Sequence, residues 1–164
     1  MRLYLGVCPS PLGILYLVSD ESSLLSISFS YPENGDEFIL ADTAAIKAAR
    51  QWLKRYFRGE NPPLSSVPFR LEGTSFEKDV WEILLTIDYG KTTTYGEIAS
   101  LIAQKREISR MSAQAVGGAV GRNRLPVLIP CHRVLGKGGR LTGYTGGIEK
   151  KIILLEIEKV VWRW

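Results

Sequence analysis

Cys131 and His132 are adjacent, and they are the residue types of a thiolate nucleophile and its base. A free thiol titrates at about 8.5, so little of it is ionised at neutral pH and a working cysteine needs a base or a cation beside it. His132, the only histidine of the chain, could take that proton directly or through a water. The pair ends the run Asn123-Arg124-Leu125-Pro126-Val127-Leu128-Ile129-Pro130, which reads as a short buried strand between two prolines. Neighbouring residues of a regular strand face opposite ways. Pro130 cannot continue a ladder and holds the residue before it extended. The backbone is therefore expected to turn there and free the thiol from strand geometry.

Such a relay needs a third group to orient the imidazole and stabilise its charged form. Glu158 is the candidate. It falls at the C-terminal end of a helix predicted over about 148–160, leaning toward Leu154 and Leu155, where the helix dipole disfavours a carboxylate that lacks a partner. A solvent-exposed glutamate at a frayed helix end is the competing reading. Cys8 and Cys131 are the only cysteines, too few with one histidine for a Cys/His zinc site or a disulfide framework. No metal and no cofactor are expected, and Cys8 reads as a small buried hydrophobe.

The elements that must hold these residues follow from periodicity. Residues 3–7, 12–18 and 23–30 are apolar and rich in strand formers, separated by turn residues at 8–11 and 19–22, which predicts an antiparallel meander. A loop is expected over 31–36, then a helix from about 42 to 58 with Ile46, Ala49, Leu53 and Tyr56 on one face. Asn61-Pro62-Pro63 breaks the pattern. The prediction is an N-terminal α/β domain over 1–70, antiparallel sheet plus helix, acting as scaffold. A mainly α C-terminal domain of helix-turn-helix or winged-helix type is predicted over 71–164. Its signals are capping boxes at Thr74-Ser75-Phe76-Glu77 and Thr94-Tyr95-Gly96-Glu97, the second opening a helix with Ile98, Leu101 and Ile102. A third helix is expected over about 112–120. Its Gly117-Gly118 pair suits either close helix packing or close approach to a nucleic-acid backbone, with Ala113, Ala115 and Ala119 keeping the surface low.

The net charge of +4 lies entirely in the second half: residues 1–70 carry seven basic and seven acidic side chains, residues 71–164 fourteen and ten. Within 104–140 stand Lys105, Arg106, Arg110, Arg122, Arg124, Arg133, Lys137 and Arg140, against Glu107 alone. A basic surface around a nucleophile suits a polyanionic partner. A protease would explain the relay but not this surface, and a repressor the surface but not the relay. A cysteine that attacks a group on a base needs that base flipped out of the duplex. No apolar run reaches membrane-spanning length, and Gly6, Pro9, Pro11 and Gly13 interrupt any secretory core. A cytoplasmic, nucleoid-associated location is expected, with no membrane contact.

At these residues the chain resembles the O6-alkylguanine-DNA alkyltransferases, or methylated-DNA–protein-cysteine methyltransferases. Pro130-Cys131-His132-Arg133-Val134 looks like their active-site motif. The likeness runs through 74–99, Ala115-Val116-Gly117-Gly118-Ala119, Asn123, Pro126, Gly143-Tyr144-Thr145-Gly146-Gly147 and Glu158. It is strong over about the last ninety residues, whereas the first seventy resemble the family's ribonuclease-H-like domain in outline. The resemblance implies stoichiometric, irreversible transfer of an alkyl group from O6-alkylguanine, and from O4-alkylthymine, to Cys131. The partner it implies is double-stranded DNA, engaged by a monomer with no obligate protein partner.

By the same resemblance, Tyr95 helps neutralise charge on the departing base. The backbone N–H of Thr145 and the carbonyls of Cys131 and Val134 read the guanine edge, with Gly146 beside them. Tyr144 forms an aromatic wall, and Asn123 ties the turn before the nucleophile. Gln114, Ala115, Gly117 and Gly118, with Arg110, Arg122, Arg124 and Arg133, are the expected DNA-facing set. The chain departs from the family at Gln114, where an intercalating arginine is usual, and Arg110 one turn earlier could assist. It departs also in a longer segment between Tyr95 and Gln114, and at Asp88, where a proline is common. The alternative function is a non-catalytic binder that flags alkylated bases for another pathway; such relatives lack the nucleophile that Cys131 supplies. A plain winged-helix regulator would leave Cys131, His132 and Glu158 coincidental.

Overall fold

Leu15 and Leu17 are buried while Ile14 between turn and core stays exposed, the two-residue period of a half-buried strand. The structure, a computed structural model, describes residues 1–33 and 35–164. It divides into two compact units, Met1–Glu72 and Gly73–Trp164. The predicted loop at 31–36 includes Asn34, which lies outside the described residues.

In the first unit β1 (Leu3–Ser10), β2 (Gly13–Ser19) and β3 (Leu24–Ser28) form the expected meander. A short β4 (Phe38–Ile39) adds to the other side of β1 in parallel, so the sheet is mixed, in the order β3-β2-β1-β4. Two residues carry too little periodicity to announce such a strand. The expected turn at 8–11 is also corrected. β1 continues to Ser10, and Pro9 pairs opposite Ile14. Pro9 is tolerated because β4 covers only Leu3 and Tyr4, leaving β1 an open edge where its missing N–H costs nothing. Helix α1 (Ala44–Phe57), capped by the Thr43 hydroxyl, lays Ile46, Ala49, Leu53 and Tyr56 on the core. It runs so close to β1 at Gly6 that a Cβ there would stand 2.7 Å from Ile46. Cys8 is buried in this unit, and burial pushes its thiol up.

The second unit packs α2 (Ser75–Leu84), α3 (Tyr95–Lys105) and α4 (Ala113–Gly121) around Val80, Trp81, Leu84, Ile98, Ile102 and Val116. Both predicted capping boxes form, at Thr74/Glu77 and Thr94/Glu97, and Ser112 caps α4. Two details of the helix faces differ from expectation. Leu101 is 45% exposed on the outer side of α3. Ala119 is buried, and its carbonyl accepts the Trp81 indole N–H at 2.9 Å, so it belongs to the core rather than to the surface. Helix α5 (Ile148–Ile157) presents Ile148, Ile152 and Leu155 to Leu135 and Leu141. No helix among the described residues is long and apolar enough to cross a membrane.

Two features bring the chemistry together. Strand β5 (Thr93–Thr94) pairs in parallel with β6 (Val134–Leu135), Thr93 opposite Val134. The chain entering α3 at Tyr95 thus lies beside the chain leaving Cys131. The run before Cys131 is not the predicted strand. Leu125 to Ile129 are buried but turn back on themselves, the Ile129 N–H donating to the Leu125 carbonyl at 2.8 Å. The reason is Asn123: its amide donates to the Ile129 carbonyl and accepts from the Leu125 N–H, both at 2.9 Å, in place of a ladder. Val127 pays with a φ of +73°, a left-handed conformation that costs a β-branched residue about 1–3 kcal/mol. After Pro130 the backbone enters a single 3₁₀ turn, Cys131–Arg133, the turn expected there.

Replacing Asn123 by Ala leaves a buried N–H and a buried carbonyl unpaired, and is expected to destabilise the protein by about 2–4 kcal/mol. Urea unfolding of the full chain measures this; a loss under about 0.5 kcal/mol, the range of an ordinary surface change, would contradict the role given to Asn123.

Candidate active site

The buried ionic cluster of the second unit centres on one carboxylate. Glu158 is the C-cap of α5 and is buried. Its Oε2 accepts from His132 Nε2 at 2.6 Å and from Arg133 Nη2 at 3.2 Å, and its Oε1 from Arg133 Nε at 2.8 Å and the Gly90 N–H at 2.9 Å. Of the two sequence readings, the partnered glutamate is the one found. Burial works to raise Glu158, but the hydrogen bonds and charge of His132 and Arg133 outweigh it and hold the group at about 2. His132 is fully buried, and burial pushes it below its ordinary value against the pull of Glu158. It therefore rests neutral, with its hydrogen on Nε2 toward Glu158, which makes Nδ1 the basic nitrogen.

Arg133 corrects the sequence reading. It is 9% exposed, far from the bare cation expected of a DNA contact. Besides Glu158 it donates to the Ile87 carbonyl at 2.5 Å and stacks over the Tyr89 ring. A 3₁₀ turn sends consecutive side chains about 120° apart rather than to opposite faces, and Cys131, His132 and Arg133 are all buried. After His132, Arg133 is the second group that holds Glu158 ionised, through its hydrogen bonds and its permanent charge.

Cys131 borders a cavity of about 440 Å³, within the range of small-molecule pockets. Tyr95 and Tyr144 supply its aromatic walls, Gly117, Val120 and Gly121 of α4 one side, and Gly143 and Thr145 the other. The Thr145 hydroxyl donates to the Gly121 carbonyl at 3.0 Å, tying the glycine-rich loop to the end of α4. Gly146 lies behind, its carbonyl accepting Lys150 Nζ at 3.0 Å. Gly117 lies beside Tyr95, and a Cβ there would make ordinary contact with its ring at 3.7 Å. Burial raises the Cys131 thiol; hydrogen bonding from Asn123, the charge of Lys151 and the Tyr144 hydroxyl work against it. Burial likewise raises Tyr95, so it is a neutral phenol that can donate.

Lys151 and Thr142 were not foreseen. Lys151 is fully buried on the same side of α5 as Leu154 and Glu158, and its Nζ donates to the Val134 carbonyl at 2.6 Å. That carbonyl, expected to read a base edge, is thus already engaged. A lysine one position from Ile152 within an apolar stripe was the available signal. Burial lowers Lys151 to about 8.

Of the expected DNA-facing set, Gln114, Ala115, Arg110, Arg122 and Arg124 are exposed, and Gly117 and Gly118 half-buried. The cations of 104–140 are less uniformly available than their count suggests. Lys105 and Arg106 pair with Asp79, Arg122 with Glu77, and Arg133 with Glu158. Those carboxylates come from α2 and α5, outside the window counted. Arg110, Arg124, Lys137 and Arg140 have no ion pair among the described residues.

The chain is similar to known proteins along nearly its whole length. Residues 75–160 match the family profile described as 6-O-methylguanine DNA methyltransferase, DNA binding domain, and residues 3–71 that of its ribonuclease-like domain. A methylated-DNA–protein-cysteine methyltransferase of Haemophilus influenzae is 40% identical over 161 residues, 96% of this chain and 87% of the relative. One from Methanosarcina acetivorans is 39% identical, covering 95% of this chain and 98% of its own. Among solved structures, Mycobacterium tuberculosis OGT in complex with DNA superposes with a TM-score of 0.82 at 39% identity, over 97% of this chain and 93% of that one.

Because Glu158 drops from an ordinary 4.5 to about 2 on folding, its ionised form stabilises the fold fully above pH 4.5 and loses that effect as pH falls toward 2. At about 1.4 kcal/mol per unit, the full chain is expected to lose about 3 kcal/mol across that window through this group. The stability gap between wild type and Glu158→Gln, measured by urea unfolding at several pH values, should close as pH falls; a constant gap would contradict the assignment.

Proposed function

The chain belongs to the 6-O-methylguanine DNA methyltransferase family, and on that premise we propose that it repairs DNA by moving an alkyl group from O6-alkylguanine to Cys131. The observation that carries this reading is the buried Cys131 at the wall of an aromatic cavity, with a His–Glu–Arg cluster beginning at the next residue. His132 Nδ1 takes the thiol proton, directly or through a water, and Glu158 and Arg133 hold the imidazole in place as it becomes charged. The thiolate attacks the alkyl carbon; the S–C bond forms, the C–O6 bond breaks, and its electron pair passes to the guanine. Tyr95 donates to that departing base, and the Thr145 N–H and the Cys131 carbonyl meet its edge. A thioether is a poor leaving group, so each molecule reacts once.

The cavity opens beside α4, whose Gly117 and Gly121 keep the approach low for an extruded nucleotide. Gln114 and Arg110, both exposed, are the groups that fill the gap left in the duplex on this reading. Gln fills space and hydrogen-bonds but adds no charge. O4-alkylthymine is the second substrate of this reading. On this reading the protein acts as a monomer, without an obligate protein partner, on DNA in the cytoplasm.

Incubation with duplex DNA carrying O6-methylguanine should place one methyl group on the peptide that contains Cys131, detectable by mass spectrometry. Cys131→Ala should bind the same DNA and transfer nothing. A methyl group elsewhere, or none with intact binding, would sink the assignment and favour a lesion-flagging protein. Restoring arginine in Gln114→Arg is expected to tighten DNA binding by about threefold to tenfold, the scale of one added ionic contact; unchanged affinity and rate would remove Gln114 from the flipping machinery.

A further inference from the structure

Alkyl transfer as derived above gives no proton-transfer step to two groups of the site, the Lys151 ammonium, whose charge favours the Cys131 thiolate, and the Thr142 hydroxyl. Lys151 Nζ donates to the Val134 carbonyl at 2.6 Å, to Thr142 Oγ1 at 2.9 Å and to the Gly143 carbonyl at 3.4 Å. The Tyr95 hydroxyl lies 2.9 Å from the same Thr142 Oγ1. One threonine hydroxyl thus joins a buried cation to the phenol that borders the cavity.

The first step of this chain has one possible direction and the second has two. An ammonium only donates, whereas a hydroxyl carries one hydrogen and two lone pairs. Thr142 accepts from Lys151 and keeps one hydrogen and one lone pair for Tyr95, so either hydroxyl can donate across the 2.9 Å contact. With Thr142 as the donor, the phenol hydrogen is free to turn into the cavity. Were Tyr95 instead to donate to Thr142, it would offer an electron-rich base only an acceptor.

We propose that Thr142 is a positioning residue which, with Lys151 behind it, fixes Tyr95 as a hydrogen donor to the departing base. This rests on the alkyl-transfer reading and adds the path of the proton to it. As the C–O6 bond breaks, the Tyr95 proton passes to the base, the Thr142 proton to the Tyr95 oxygen, and a Lys151 proton to Thr142. Guanine departs neutral and Lys151 is left as an amine. Because His132 has gained the Cys131 proton, the charge of the protein is unchanged. The lysine suits this task, since burial lowers its affinity for a proton to about 8 while leaving it mostly charged at neutral pH. Buried hydrogen-bond chains of this kind polarise one another.

The test is a double-mutant cycle on the single-turnover rate with O6-methylguanine DNA, using Tyr95→Phe, Thr142→Val and both together. Thr142→Val alone should slow transfer about tenfold, the scale of one lost hydrogen bond in the transition state, while affinity for the lesion DNA stays within about twofold of wild type. Thr142→Ser should restore the rate. In the Tyr95→Phe background, Thr142→Val should cost nothing further, because the group it acts through is gone. A wild-type rate for Thr142→Val, or a loss that persists in the Tyr95→Phe background, would overturn the proposal. Should valine disturb the fold, as thermal melting would reveal, Thr142→Ala enters the same cycle. Failure of the underlying reading looks different: wild type would then leave no methyl group on Cys131.

Discussion

A buried carboxylate that cannot be given up governs this site. Glu158 is completely enclosed in its side chain, and four donors from two other segments converge on it: His132, Arg133 twice, and the Gly90 N–H. A buried ion pair adds little net stability compared with apolar packing, but removing one partner is costly, about 3–5 kcal/mol. The end of α5, the Asp88–Lys91 turn and the 3₁₀ turn at Cys131 are therefore locked together by a penalty on their separation.

That lock explains how a thiol can be both buried and useful. Burial keeps Cys131 protonated and, with the charges of Arg133 and Lys151, His132 neutral, which is the resting arrangement of an acid and a base. Arg133 adds a permanent positive charge to the hydrogen bond and charge of His132 that lower Glu158 most. When a proton reaches the imidazole, the charge it creates meets an anion already in place and already oriented, with no reorganisation required. The strain at Val127 and the double tie of Asn123 belong to the same construction, since they set the turn from which Cys131 emerges.

The sequence announced the chemistry better than the geometry that delivers it. Cys131, His132 and Glu158 were legible because rare residue types stood at informative places: a sole histidine, a cysteine after proline, a carboxylate at the wrong helix end. Helix ends at Thr74, Thr94 and Ser112 were legible because capping is local. The loop at 124–130 was misread as a strand because its apolar run is compatible with either, and a side chain, Asn123, rather than a ladder satisfies its backbone. Arg133 was misassigned and Lys151 overlooked for one reason. Both are cations whose partners lie far along the chain, Arg133 on Glu158 and Lys151 on Val134 and Thr142, and charge counted in a window cannot reveal burial. β4 went unseen because two residues carry no period.

The most direct test of the His132 relay is the pH dependence of the single-turnover transfer rate in wild type and in His132→Gln. With the relay intact, His132 is neutral above its lowered titration point and Lys151 stays mostly charged below about 8, so the rate should be flat from about pH 6.5 to 7.5. Without it, the thiolate must form by direct ionisation of a thiol whose titration burial has raised, and the rate should climb about tenfold per pH unit over that range. Two profiles of the same shape, whatever their heights, would contradict the claim that His132, held by Glu158 and Arg133, takes the proton from Cys131.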